Sequence, residues 1–122
     1  MFTISPGDVL KALKRCKRLA KQDLLASELT SDPEFWREHA QARRATYDAL
    51  MALVESEGVD AAHRYAMQES AALPLADSEE DTAATKGKRQ ALEMFFCIIG
   101  AQGAGAGGNA AADERVPLEA SS

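Results

Sequence analysis

Disulfides are the first thing the sequence leaves out. Its 122 residues include only Cys16 and Cys97, too few for a disulfide framework, so the expected setting is reducing and cytoplasmic. Aromatic residues are scarce too, at 6% with a single tryptophan, and a core must be built mainly from aliphatic side chains. No apolar run approaches the roughly 20 residues of a membrane span. Met1-Phe2-Thr3-Ile4-Ser5-Pro6 lacks the charged and apolar regions of a secretory signal. The net charge of -5 argues against generic coating of nucleic acid. What abounds is alanine, 24 residues. Alanine buries little surface, so the hydrophobic fraction of 46% overstates the bulky apolar content. The length allows one domain.

The pattern along the chain is helical. Ser5 is a good N-cap, Pro6 suits the first helical position, and Asp8 complements the helix dipole. From there Val9, Ala12, Leu13, Cys16, Leu19, Ala20 and Leu24 mark one face of a helix expected over about 6 to 27. Ser31 and Glu34 have capping-box spacing around Pro33 and open a second helix running to Glu57, with Gly58 as its left-handed stop. Trp36, Ala40, Tyr47, Leu50, Met51 and Val54 form its apolar stripe, which makes Trp36 the expected core anchor. A third helix is expected over 59 to 72, ended by Pro74, and a fourth over 86 to 99. Residues 78 to 86 read equally well as helix or not, because Gly87 weakens a continuous helix by about 1 kcal/mol relative to alanine. Residues 101 to 122 are rich in Ala and Gly and lack the bulk to offset ordering entropy, so they read as a disordered tail. The fold class is therefore all-α: a small antiparallel bundle of three to four helices over 1–100, followed by the tail over 101–122.

Chemical motifs are few. Gly103-Ala104-Gly105-Ala106-Gly107-Gly108 spells a dinucleotide fingerprint, but the 14 residues after Gly108 cannot complete the fold that uses it. Cys16, His39, His63 and Cys97 are the soft metal ligands, and none has zinc-site spacing. Asp60-x-x-His63 is one copy of an element that di-iron bundles need twice, and it reads as a solvated pair at a helix start. Cys16 lies on an apolar face as an inert thiol, while Cys97 is expected to be partly exposed. No catalytic grouping, cofactor or metal site is expected.

Two features carry more information. Residues 1 to 30 hold a charge of +3 against -8 for the remainder, and Lys11, Lys14, Arg15 and Arg18 lie opposite the apolar stripe of the first helix. The plain reading is a solvated face; the functional one is a surface for an anionic partner such as nucleic acid. Second, Arg43 projects within about 20° of Trp36 on its helix, and Glu69 within about 20° of Ala62 on the next. A charge on an apolar face must be paired, so Arg43 and Glu69 are expected to meet, with Tyr47 and Tyr65 nearby. The function expected is a non-enzymatic module with a protein partner or a regulatory role. The runner-up is a nucleic-acid-associated protein using the basic helix; no membrane association is expected.

Overall fold

A computed structural model of the protein describes residues 4–100. These form a small all-α bundle: α1 (Pro6–Ala26), a 3-10 turn (Ser27–Leu29), α2 (Pro33–Glu57), α3 (Val59–Ala71) and α4 (Ala83–Ile99). There is no strand among the described residues. The tail expected over 101–122 lies outside them.

The helix ends follow local chemistry. Ser5 Oγ accepts from the Asp8 N–H at 3.1 Å, with Pro6 opening α1. At α2 the cap is Asp32 and not Ser31: its carboxylate accepts from the Phe35 N–H at 3.3 Å. The reason is Pro33, whose fixed φ suits the first helical position and keeps the preceding residue out of the helical region. Gly58 both ends α2 and starts α3, its N–H donating to Leu53 and Val54 and its C=O accepting from Ala62. Its φ of 100° with ψ of 172° is accessible essentially to glycine alone, and lies outside the left-handed helical region expected there. Gly100 does close α4 in the left-handed conformation.

The segment undecided in sequence, 78 to 86, divides in two: residues up to Thr82 form a loop, and those from Ala83 onward are the first turn of α4, behind a Thr82 cap. The loop is wound around one carboxylate. Asp81, whose side chain is fully buried, accepts from the Asp77 N–H at 2.7 Å, Lys86 Nζ at 3.0 Å and Arg89 at 2.9 and 3.1 Å. Arg89 also donates to the Pro74 carbonyl at 2.8 Å. The Asp77 amide foremost, with Lys86 and Arg89, holds the Asp81 carboxyl down at about 2.

Helix α2 is the spine, packing against α1, α3 and α4. Lys17 meets Asp48 and Asp23 meets Arg43, so α1 and α2 run antiparallel. His63 faces Phe96 and Glu69 pairs with Lys88, and α3 and α4 are antiparallel likewise. The core joins Val9 and Leu13 of α1, Tyr47, Leu50 and Val54 of α2, Ala62 and Ala66 of α3, and Leu92, Phe95 and Ile99 of α4. On α4 the buried Ala83, Gly87 and Ala91 recur every four residues, on one side of the helix. At Gly87 the backbone lies so close to His39 of α2 that an added Cβ would be 3.0 Å from the His39 carbonyl carbon and 3.2 Å from its Cα. Gly87 is thus a point of close helix approach, which its low helix propensity does not reveal.

Candidate functional site at the corner of α1 and α2

Trp36 is not the core anchor that the stripe predicts. It lies in the first turn of α2, where the helix begins beyond the core, and remains 43% exposed. Its ring packs edge-on against Phe35 at 4.8 Å and His39 at 5.1 Å between centroids. The rest of the stripe behaves as expected: Ala40, Tyr47, Leu50 and Val54 are buried. Leu19, expected on the apolar face of α1 but lying at its margin, is exposed, and so are Leu25, at the end of α1, and Leu29, in the 3-10 turn. Large apolar side chains on both sides of the chain reversal into α2 thus remain in solvent.

Between these elements lies a cleft of about 240 Å³ lined by Asp23, Ala26, Thr30, Trp36, His39, Ala40 and Arg43. Thr30 is fixed by donating from Oγ1 to the Ser27 carbonyl at 2.6 Å. Arg43 is buried and donates through one terminal nitrogen to Asp23 at 2.7 Å. It does not meet Glu69, which instead pairs with Lys88 of α4. The expectation rested on the α2–α3 hairpin alone, while α1 and α4 bring nearer charges of opposite sign. His39 is buried as well, and burial, followed by the Arg43 charge, lowers its pKa and favours the neutral imidazole. Nδ1 of His39 and Nε of Arg43 are both buried without a hydrogen-bond partner among the described residues.

One turn further along α2, Tyr47 lies beside Arg43 and Cys16. Burial, with Cys16 adding to it, pushes the Tyr47 hydroxyl up to about 12, and burial also raises the Cys16 thiol. Both shifts favour the neutral forms, and the half-buried Cys16 is held as the thiol rather than the thiolate. Cys97 is exposed, as expected. Tyr65 is half-buried and lines a different cavity, of about 320 Å³, with Thr46 and Lys88. His63 is half-buried against Phe96, with ring centroids 5.9 Å apart, and not a solvated helix-start residue.

The basic surface of α1 has the geometry the sequence suggests. Lys11, Lys14, Arg15 and Arg18 are all exposed, and none is in a salt bridge with a described residue, whereas Lys17 is tied to Asp48. No group of three or more His, Cys, Asp or Glu among the described residues could hold a metal ion. No described helix is long and apolar enough to cross a membrane. No family model, curated protein or solved structure matches the chain.

Proposed function

We propose that the chain is a non-enzymatic helical interaction module that engages a protein partner, in the cytoplasm, through the corner of α1 and α2. The observation that carries this reading is Trp36: the chain's only tryptophan is spent on a rim rather than the core, 43% exposed. Tryptophan anchors recur at the centres of protein interfaces, where a large rigid ring is desolvated at little entropic cost. Leu25 and Leu29, 72% and 88% exposed, lie on the chain leading into α2 and would enlarge the same contact. The cytoplasmic assignment is supported by two free cysteines, one of them exposed.

The test is site-specific crosslinking. A photoreactive residue at Leu29 should trap one discrete protein in cells, and Trp36→Ala should abolish that product. Reversing Lys14, Arg15 and Arg18 to Glu should leave it intact. A product that survives Trp36→Ala but is lost on charge reversal would contradict the proposal.

The exposed basic face of α1, where Lys11, Lys14, Arg15 and Arg18 make no salt bridge with a described residue, supports a second reading, contact with nucleic acid. Binding to a mixed-sequence duplex should then fall steeply with salt and vanish on reversal of Lys14, Arg15 and Arg18. No binding at low salt would remove this reading.

A further inference from the structure

The cavity between α2, α3 and α4 is chemically quiet. Thr46 donates to its own helix at Ala42, and Lys88 is paired with Glu69, so its buried hydroxyl and its cation both have partners. The cleft at the corner of α1 and α2 differs. Two residues of its wall are buried, His39 at 7% and Arg43 at 9% exposure, with the Arg43 side chain itself at 11%, and each keeps a buried nitrogen with no hydrogen-bond partner among the described residues. Buried polar atoms without partners are costly and rare in a folded chain. Their clustering in one cleft asks for a ligand.

A guanidinium has five N–H donors and no acceptor, so Arg43 calls for oxygen. The geometry shows which oxygen it prefers, because Asp23 already presents a carboxylate to it at 2.7 Å. That carboxylate is itself 62% exposed and can turn outward without uncovering any core. Asp23 therefore acts as an internal stand-in, occupying the position that an incoming carboxylate would take. The remaining wall is mostly apolar, Ala26, Ala40 and the ring of Trp36, with Thr30 beside them, whose hydroxyl hydrogen is already given to the Ser27 carbonyl. At about 240 Å³ the cleft is smaller than the ~300–1,000 Å³ of drug-sized sites, which limits the occupant to a compact body.

We propose that this cleft binds a carboxylate carried on a compact apolar body, held by Arg43 and His39 and flanked by Trp36, with Asp23 as the group displaced. The inference goes beyond the interaction reading and does not depend on it: a free acid and the carboxylate of a peptide chain end share this chemistry.

The test is chemical rescue. Asp23→Ala removes the stand-in and leaves Arg43 without its carboxylate. Benzoate should raise the melting temperature of that variant clearly, and that of the wild type less, because a ligand that binds only the folded state stabilises it. Benzamide and benzylammonium, at matched ionic strength, should do neither. Trp36 emission supplies a direct readout in wild type and in Asp23→Asn, and it keeps the test valid if Asp23→Ala is too unstable to melt. The Asn variant should bind benzoate several-fold more tightly than wild type. Filling the cleft with Ala26→Leu, at an exposed position, should abolish both effects. A short peptide with a free C-terminus, compared with its amidated form, separates the two sources: tighter binding of the free-ended peptide than of benzoate assigns the site to a chain end, and the reverse to a free acid. Equal effects of benzoate and benzamide, a preference for benzylammonium, or no saturable response in any of the three proteins would overturn the proposal.

Discussion

Gly87→Ala sets two opposing effects against each other, and the structure decides the winner. On propensity alone the change should stabilise α4 by about 1 kcal/mol. The new methyl group, however, would lie 3.0 Å from the His39 carbonyl carbon and 3.2 Å from its Cα, with the carbonyl oxygen nearer still. All three atoms are backbone, so no rotamer change relieves the clash. The two helices must separate by something near an ångström, loosening the contacts around the small residues Ala83 and Ala91. Overpacking of this sort costs about 1–3 kcal/mol, and a rigid backbone obstacle places it at or above the upper end. The net loss should be about 2 kcal/mol, equivalent to roughly 10 °C in the melting temperature of a domain this size. Circular dichroism at 222 nm, by heat and by urea, measures it. Gly7→Ala is the control, since its nearest neighbour would be Ser5 Oγ at 4.0 Å; it should be neutral or stabilising by up to about 1 kcal/mol. A Gly87→Ala protein as stable as wild type, or more so, would refute the close approach of α2 and α4.

Other outcomes follow from the same structure. Asp81→Asn should lower the melting temperature at pH 7. Because the Asp81 carboxyl is held at about 2, below its ordinary 3.8, its contribution is complete above about pH 4 and is lost as the pH falls towards 2. The gap between variant and wild type should therefore close over that acid interval, and a gap independent of pH would show that the carboxylate charge is irrelevant to the loop. Trp36→Ala should cost about 1 kcal/mol, because much of the ring already faces water, while Phe95→Ala, fully buried, should cost about 3–5 kcal/mol; similar losses in urea titrations would place Trp36 back in the core. Arg43→Met and Glu69→Leu should have additive effects on stability, since each residue has a different partner, and a double mutant that recovers stability would restore the pairing read from the sequence.

The helices were legible because their signals are local. Ser5-Pro6, Gly58 and the 3.6-residue spacing act within a turn or two of the residues they organise, and the structure follows them. What was not legible depends on neighbours distant in sequence. Trp36 continues the spacing of the apolar stripe, but periodicity does not say where along a helix the packing stops. Arg43 was recognisable as a charge in need of a partner, yet the choice between Glu69 and Asp23 depends on which helix lies alongside. Gly87 was read as a weakness of α4 because propensity is a property of one helix, whereas its purpose lies in the contact of two. The four-residue recurrence of Ala83, Gly87 and Ala91 was visible and could have raised that alternative. The cleft was beyond reach, since Asp23 and Arg43 are twenty positions apart and neither belongs to a recognisable motif.

The loop before α4 has a consequence for how the chain could be divided. Its side-chain contacts run forward: Asp81 is gripped by Lys86 and Arg89, and Arg89 reaches round to the Pro74 carbonyl, while the Lys88–Glu69 pair is the salt bridge that ties α4 to α3 among the described residues. The natural seam is therefore just before Pro74, in the short stretch after α3, and residues 74 to 100 form a cassette that carries its own starting knot. Within the bundle this cassette docks chiefly on α2, through a surface that needs no covalent continuity with α3. Two polypeptides separated at that seam should reassemble spontaneously, and a circularly permuted chain beginning at Pro74 should retain the fold. The order in which the helices are written matters less here than the spine on which they converge.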